Sequence, residues 1–547
     1  MNSILKLDFN ERCDKLSDIV ERSTFDDLWR YPQRESLEQK IAAIEGLDVG
    51  QVLCTNGGDE AIMILMRLIK ETASIILPLP AFSQYTWGVE SWNLDARLIP
   101  AKPDLSIDVD ATIEAIKNKP GTTVVITRPN NPTGEMIARQ KLFDLIEVAA
   151  ANQSQVFLDE AYIEFSTDII PAKQLLAQFD NLVILRTLSK AYGLAGIRLG
   201  YLLGNEKNIA EYKRRCMPFN VPQPSLQIAQ EALQENNRAE VAGYCQQIAS
   251  NRKRLSEWLD NLGVDTLPSE ANFVLFRVSS LQAKAIKSFM QKNDILVRTF
   301  ERGDLDGCVR VTIPYQLDKL LGLLEQVLSP SLVCFDMDGV LIDTSESYDQ
   351  AVKATVEKIS QKSISNDSIF SLRNSGGFNN DWVLSQALLK QLGQEESIEK
   401  VTEVFQSFYL GENFDGLMQN EKCLVESQLV NYVNNTSKCQ FAVVTGRPRL
   451  EAEAGLKLIG FNNTPLVSLD DVEQPKPSPE GVKKLQCQFS KNSWMCGDNP
   501  DDMQAANGSN SLAIGIGKEN AEALYQAGAD VVLENINQLE SWLKLVK

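Results

Sequence analysis

Val156-Phe157-Leu158-Asp159-Glu160-Ala161-Tyr162 reads as a short buried strand that stops at an aspartate, with a tyrosine three residues on. Similar apolar runs recur on both sides of it, at 74–78, 122–127 and 181–186, and again at 332–335, 441–444 and 493–496. Helical stretches alternate with them, and several runs end directly in polar or glycine-rich segments. That alternation predicts an α/β architecture with mainly parallel sheets, whose ligands gather at the carboxyl ends of the strands. An amphipathic helix ends near Leu328 and a new buried strand starts at Leu332, so Ser329-Pro330-Ser331 is the expected boundary between two parts, 1–328 and 332–547. So short a linker implies two parts packed together.

The chain has 547 residues, too many for one ordinary core; 44% are hydrophobic and 23% charged, as in a globular protein. A net charge of −19 opposes phosphate backbones and anionic lipid, and excludes nucleic-acid or membrane binding as the main role. No apolar run reaches the roughly 18 residues of a membrane span. Met1 to Lys6 lacks a basic stretch followed by an apolar one, which predicts no secretory leader and a cytoplasmic location. The ten cysteines show no Cys-x-x-Cys pair and read as small hydrophobes in a reducing compartment. Histidine is absent. Its absence excludes a Ser-His-Asp triad, a His-activated thiol and any His-ligated metal, leaving Lys, Asp, Glu, Tyr or Cys to move protons.

Four polar segments of the first part follow predicted strands. Asp159 and Tyr162 follow one, Thr187-Leu188-Ser189-Lys190 another, with Arg198 eight residues beyond Lys190. Asn130-Asn131-Pro132-Thr133-Gly134 makes a turn after a third strand. Alone, such a lysine reads as a solvated surface group and the Asn-Pro-Thr-Gly segment as an ordinary turn. Together they contain what pyridoxal phosphate (PLP) requires. A lysine must bind its aldehyde, a carboxylate must keep the pyridine nitrogen protonated, and a helix N-terminus with a cation must hold the phosphate.

From about Leu7 to Leu328 the chain resembles the fold-type I aminotransferases, and most closely the histidinol-phosphate aminotransferases. The resemblance rests on Arg30-Tyr31-Pro32, Asn56-Gly57-Gly58-Asp59-Glu60-Ala61-Ile62, Pro80-Ala81-Phe82, the Asn131 and Asp159 segments, Arg186 to Ala191, Pro218-Phe219-Asn220-Val221, Ser269 to Phe273, Val297-Arg298 and Val309-Arg310-Val311. It implies a large α/β domain (about 31–214) and a small domain (about 1–30 and 215–328). Lys190 would carry the cofactor and shuttle the proton, and Asp159 would pair with the pyridinium. Tyr162 and Asn131 would bond the ring hydroxyl, and Phe82 would stack on the ring. Backbone N–H groups of Gly58, Asp59 and Glu60, with Thr187, Ser189 and Arg198, would hold the phosphate. Tyr31 would reach the partner's phosphate in a homodimer formed by this domain. Arg298 and Arg310 match the two arginines that bind the substrate's acidic group. A pair of guanidinium groups suits a carboxylate or a phosphate, and the alternative is a surface ion pair. The sequence departs from the family at Asn10-Glu11-Arg12-Cys13, at Arg128, and after Arg310, where a usual glycine is missing; all three are expected near the substrate end.

In the second part, Leu332-Val333-Cys334-Phe335-Asp336-Met337-Asp338-Gly339 is a buried strand ending in Asp-x-Asp-Gly. Val443-Val444-Thr445-Gly446, Lys476 in Pro475-Lys476-Pro477, and Cys496-Gly497-Asp498-Asn499-Pro500-Asp501-Asp502 follow in order. A lone Asp-x-Asp is more often a solvated turn. The four segments together supply a nucleophile, a second carboxylic acid, a hydroxyl with a cation, and carboxylates for a divalent ion. They resemble the haloacid-dehalogenase superfamily, which implies a Rossmann-like domain with a helical cap, here at about 345–437. By that resemblance Asp336 is the nucleophile and Asp338 the general acid/base. Thr445 and Lys476 hold the phosphoryl group, and Mg²⁺ takes Asp336, the Asp338 carbonyl and Asp498, with Asp502 in support. Arg373 and Gly376-Gly377-Phe378-Asn379-Asn380-Asp381 are candidate cap contacts, with an ordinary interhelix loop as the alternative. An aspartate nucleophile also serves dehalogenases and phosphomutases; the acid Asp338 favours phosphatase chemistry.

The combined resemblance implies a bifunctional enzyme acting on small-molecule substrates: glutamate-dependent transamination of imidazole acetol phosphate, then removal of phosphate from histidinol phosphate, in histidine biosynthesis. The missing histidines fit an enzyme that could still be synthesised when histidine is scarce, with compositional drift or codon bias as the alternative reading. The rival expectations are an aromatic aminotransferase, or a PLP decarboxylase of an amino-acid phosphate, joined to a phosphatase of other specificity. A binding protein in which PLP only regulates is the third, and no basic DNA-binding domain supports it.

Overall fold

The computed structural model describes residues 4–543 apart from Leu16, Asp26, Arg302, Asn374, Asn379, Asn413 and Phe414. The chain forms two compact units, one of residues 1–278 with 294–317, the other of 279–293 with 318–547.

The first unit is built on a seven-stranded sheet. Its spatial order is Val52–Asn56, Leu199–Gly204, Leu182–Thr187, Gln155–Asp159, Thr123–Thr127, Ile75–Pro78 and Ala96–Ile99. Only Leu199–Gly204 runs against its neighbours. The central strands are continuous apolar runs because both sheet faces are covered, which is why they carry no alternation. The register sets Thr127 beside Asp159, Asp159 beside Leu185 and Thr187 beside Gly200. One sheet edge therefore collects Asn56, Thr127, Asp159 and Thr187. Helix Gly57–Thr72 starts at that edge and buries Ala61, Ile62, Leu65, Met66 and Ile69 on the sheet. Its first turn carries Asp59 and Glu60 and its last Lys70, which suits the helix dipole. A second, five-stranded sheet has the order Leu5–Leu7, Ile295–Thr299, Cys308–Thr312, Phe273–Arg277 and Asp265–Thr266, with Arg298 directly opposite Arg310.

The second unit has a six-stranded parallel sheet ordered Leu466–Val467, Gln440–Val444, Leu332–Phe335, Ser493–Gly497, Leu512–Ile516 and Val531–Leu533. Numbered along the chain that order is 3-2-1-4-5-6. The winding reverses between Leu332–Phe335 and Ser493–Gly497, so the crevice beyond those two strand ends is where such a sheet takes its ligand. Helices Tyr348–Ser360, Asn366–Arg373, Asp381–Gln391 and Ile398–Tyr409 form an insert with its own apolar cluster around Val352, Leu388 and Phe405. A two-stranded ribbon closes it, pairing Ile342 with Cys423 and Asp343 with Lys422. Helix Ser427–Asn435, inside the expected insertion of 345–437, comes after that ribbon and leads into the strand Gln440–Val444.

Helices Ser280–Lys292 and Asp318–Leu328 pack in this unit. Lys292 pairs with the buried Asp530 at 2.8 Å, and Ser288 donates to the same carboxylate at 2.7 Å. Trp494, fully buried in its strand, donates its indole N–H to the Gln326 carbonyl at 2.6 Å and meets Trp542 edge-on. Truncating Trp494 to alanine removes that packing and leaves the Gln326 carbonyl unbonded. Trp494→Ala should cost about 3–5 kcal/mol, read as a fall in the denaturant midpoint of this unit. A cost below about 1 kcal/mol would show the side chain to be dispensable for packing.

Candidate active sites

A cavity of about 190 Å³ opens at the carboxyl edge of the seven-stranded sheet. Gly58, Asp59, Phe82, Asn131, Asp159, Tyr162, Thr187, Ser189, Lys190 and Arg198 all line it. Lys190 donates its ammonium to the Phe9 carbonyl at 3.0 Å and lies 5.6 Å from the Tyr162 ring centre. Asn131 donates to the Tyr162 hydroxyl at 3.3 Å and accepts from Arg310 at 2.5 Å. Arg310 also donates to the Asp8 carbonyl at 2.7 Å. Arg310 is buried and its cross-strand neighbour Arg298 is exposed. Arg198 pairs with Asp59 at 2.6 Å beside the start of helix Gly57–Thr72. Gly57 has φ +74°, and a Cβ there would meet the Arg198 guanidinium at 2.5 Å, so only glycine lets the helix begin so close to that cation.

Two expected cofactor residues do not line the cavity. The Glu60 carboxylate turns back to accept from the Asn56 N–H (2.5 Å) and Asn220 (2.6 Å), leaving only its backbone facing the ligand side of the helix start. Tyr31 is 74% exposed and stacks on Phe219 at 4.6 Å. Arg128, expected near the substrate end, does not line the cavity: its fork is spent on the Ile137 and Asp168 carbonyls and the Asp168 carboxylate. Arg12 is likewise buried, and lies 4.1 Å over the Tyr244 ring.

Asp159 is the decisive group. Tyr85 donates to one of its oxygens at 2.7 Å and the Ala161 N–H to the other at 3.0 Å, and neither donor is a cation. Burial pushes its pKa up to about 6. A carboxylate kept buried without a contacting cation fits a ligand that brings one, as the pyridinium of PLP does, so the donor set fits that cofactor. Tyr85 was not anticipated from the sequence. The signal was the spacing, because Phe82 and Tyr85 flank the start of helix Ser83–Ser91 three residues apart and so share a face. Beneath these strand ends Arg186 bridges Glu160 (2.8 Å) and Glu45 (2.8 Å), fixing the backbone that presents Asp159 and Thr187.

In the second unit Asp336 and Asp498 face each other across the two central strand ends, and Asp336, Asp498 and Asp502 have oxygens within 4.8 Å of one another. Lys476 lies 2.7 Å from Asp336 and 2.5 Å from Asp502. Burial and the Asp502 charge push the Asp336 pKa up, against Lys476. Burial, then Asp336 and Asp502, push Asp498 up well above the usual range. Three converging carboxylates with one ammonium leave a charge deficit that an oxygen-seeking divalent cation suits. Gly339 has φ +70°, and a Cβ there would sit 2.0 Å from the Asp498 carboxylate, which explains the glycine of Asp336-x-Asp338-Gly339. Asn499 caps helix Pro500–Gly508, and Asp502 answers by accepting from the Asn499 N–H at 3.1 Å, which fixes Asp502 at the site. Thr445 is buried just past its strand, accepting from the Arg447 N–H at 3.1 Å.

Of the expected cap contacts, Arg373 pairs with Asp349 (2.9 Å) and Asp381 (2.6 Å), and Gly377 N–H donates to Asp501 at 2.8 Å. Asn380 spends its side chain capping helix Asp381–Gln391, and Asn379 lies outside the described residues. Arg447 was missed although it stands two residues after Thr445; it grips Asp338 through Nε (2.8 Å) and Nη2 (2.6 Å).

The first site, a lysine, a buried aspartate and a helix N-terminus around one cavity, is that of a PLP-dependent fold-type I aminotransferase. The family model "Aminotransferase class I and II" matches residues 6–324, and "Haloacid dehalogenase-like hydrolase" matches 333–516. The chain belongs to the class I and II aminotransferases, and carries a haloacid-dehalogenase-like hydrolase domain behind that region. It is 33% identical to a histidinol-phosphate aminotransferase of Pectobacterium carotovorum over 313 residues, covering 56% of this chain and 86% of that one. Against one of Methanocella arvoryzae the identity is 33% over 321 residues, with 57% and 86% covered. In fold it is similar to the solved histidinol-phosphate aminotransferase of Sinorhizobium meliloti in complex with pyridoxal-5'-phosphate (TM-score 0.54, 24% identity, 59% and 91% covered). A putative histidinol-phosphate aminotransferase from Erwinia carotovora atroseptica compares similarly (TM-score 0.54, 22% identity, 59% and 95% covered). Among the described residues no helix is long and apolar enough to cross a membrane.

The Asp159 carboxyl binds its proton more tightly folded (about 6) than at its ordinary value of 3.8. It therefore favours the cofactor-free fold below 3.8, and that preference is lost as pH rises through about 6. Asp159→Asn abolishes the term, so the variant's stability advantage over cofactor-free wild type should grow by roughly 2–3 kcal/mol between about pH 4 and pH 7. A pH-independent difference in denaturant midpoints would refute the burial cost.

Proposed function

We propose that the chain is a bifunctional enzyme of histidine biosynthesis, which converts imidazole acetol phosphate and glutamate to histidinol phosphate and then hydrolyses that ester to histidinol. The observation that carries it is the pairing in one chain of an aminotransferase region, whose relatives are named histidinol-phosphate aminotransferase, with an Asp336–Asp338–Lys476–Asp498 crevice suited to phosphate-ester hydrolysis.

In the first site, bound PLP supplies the electron-withdrawing ring that acidifies the substrate Cα–H. Asp159 holds a proton on the ring nitrogen. The helix-start N–H groups of Gly58, Asp59 and Glu60, with Thr187, Ser189 and Arg198, bind the cofactor phosphate. Tyr162 and Asn131 orient the ring hydroxyl and Phe82 covers the ring face. Lys190 Nζ carries the proton between carbons. Arg310, with Arg298 opposite it, receives the substrate anion, and the Arg310–Asn131 bond ties that anion site to the ring. Tyr31 stacked on Phe219, with Trp29 and Met217 also exposed (52–77% for the four), supports a homodimer in which Tyr31 serves the partner.

In the second site Asp336 attacks phosphorus, the P–O ester bond breaks, and the departing oxygen takes a proton from Asp338. Water then attacks the phosphoryl group on Asp336, yields its proton to the Asp338 carboxylate, and the Asp336–phosphorus bond breaks to free inorganic phosphate. Lys476, Thr445 and the Gly446 N–H hold the phosphoryl oxygens. Mg²⁺ bound by Asp336, the Asp338 carbonyl and Asp498, with Asp502 behind it, would offset their charge. The four-helix insert acts as the cap over this crevice.

The test supplies full-length protein, loaded with PLP, with imidazole acetol phosphate, glutamate and Mg²⁺. Histidinol and phosphate should appear together. Lys190→Ala should lose the bound-cofactor absorbance and transamination while still hydrolysing histidinol phosphate. Asp336→Asn, or wild type with EDTA, should accumulate histidinol phosphate with hydrolysis down at least about 10³-fold. Histidinol phosphate accumulating with wild type refutes the second activity, and turnover of aromatic keto acids alone refutes the first.

A further inference from the structure

Arg447 has the most completely bonded guanidinium near either site. Its side chain is 1% exposed, and all five of its N–H donors are engaged. Nε donates to Asp338 Oδ1 at 2.8 Å, and Nη2 to the same oxygen at 2.6 Å and to Glu421 Oε1 at 2.9 Å. Nη1 donates to Glu421 Oε2 at 3.1 Å and to the Tyr409 hydroxyl at 3.4 Å. The Tyr348 ring lies 4.8 Å from the guanidinium carbon. Asp338 stands on the sheet's central loop, whereas Tyr348 and Tyr409 belong to the insert and Glu421 immediately precedes its closing strand. One buried cation therefore joins the core's acid to the insert.

Both donors to Asp338 converge on Oδ1, and among the described residues Oδ2 has no hydrogen-bond partner. Asp338 and Arg447 line a small crevice together with Tyr348, Asp381 and Trp382. A bare carboxylate on a two-residue step from the nucleophile would rotate freely and would repel Glu421. The fork removes both problems, because its planar geometry sets the carboxyl plane and its charge offsets the two acids.

We infer that Arg447 is a positioning residue that aims Asp338 Oδ2 at the departing oxygen, held in place by Glu421 and Tyr409 of the insert, so that proton donation depends on the insert being docked. This rests on the phosphatase reading above. A merely structural Arg447 would lower every rate alike. A positioning role affects proton donation selectively, and so depends on the leaving group. Phenyl phosphate needs a proton on its departing oxygen. 2,4-Dinitrophenyl phosphate does not, and the two esters are close in shape.

The experiment uses the full chain with Mg²⁺ and reads first-turnover release of phenol or dinitrophenolate by rapid mixing, before the later hydrolytic step. Arg447→Met should slow the phenyl ester about 10²-fold, the low end of general-acid effects, and the dinitrophenyl ester by less than about threefold. Arg447→Lys should recover part of the phenyl rate. Glu421→Gln, which reaches Asp338 only through Arg447, should show the same selectivity at smaller size, and it serves if Arg447→Met fails to fold by circular dichroism. Equal losses on the two esters, or an unchanged phenyl rate, overturn the inference while leaving the phosphatase reading intact. Wild type that releases neither leaving group overturns that reading, and this inference with it.

Discussion

Buried carboxylate charge left short of cations is the constraint on which the rest of the molecule depends. Asp159 has a phenol and an amide as donors, and Asp336 and Asp502 share one lysine, with the Asp498 carboxylate close beside them. Each arrangement costs free energy in a low-dielectric setting. Each is tolerated because the sheet ends that carry these acids are locked elsewhere, by the Glu45–Arg186–Glu160 bridge in the first unit and the Asn499–Asp502 capping box in the second. The ligands such sites favour are positively charged where they touch the protein, a pyridinium in one and a divalent cation in the other.

The two sites obey the same topological rule. In each unit the functional groups sit where parallel strands stop and the chain turns into a helix. The first unit gathers four strand ends at one edge, and the second uses the reversal between its first and fourth strands. Neither needs histidine. In the proposed mechanism a lysine and a carboxylic acid do the proton work, which is consistent with a chain in which histidine is absent. Under the proposed function the product of one site is the substrate of the other, which gives a chemical reason for one chain to hold both, and the absence of histidine suits that pathway.

Arginine plays a different part in each unit. Arg310 does not line the first cavity but donates to Asn131, which does, whereas Arg128 and Arg12, expected beside it, are turned into packing against Asp168 and Tyr244. In the second unit Arg447 binds two acids at once. The difference lies in what surrounds each guanidinium after folding, since a buried fork is stable only where acceptors complete it.

Much of this was legible beforehand. Continuous apolar runs such as Thr123–Thr127 read as interior strands, and polar residues at the end of such a run or within three residues of it lie at a sheet edge, so the placement of Asp159, Lys190, Asp336 and Asp498 followed from local pattern. Local pattern could not show what comes from far along the chain. Tyr85 reaches Asp159 across 74 positions, Arg310 reaches Asn131 across 179, and Arg447 reaches Asp338 across 109. Nor could it separate Arg128 from Arg310, because both are arginines beside a predicted strand. By itself the sequence determined which groups stand at the strand ends, since hydrophobic periodicity is a local property. Which side chains orient those groups was decided only by tertiary structure, because hydrogen-bond direction depends on strand register and on residues that meet only once the sheets have formed.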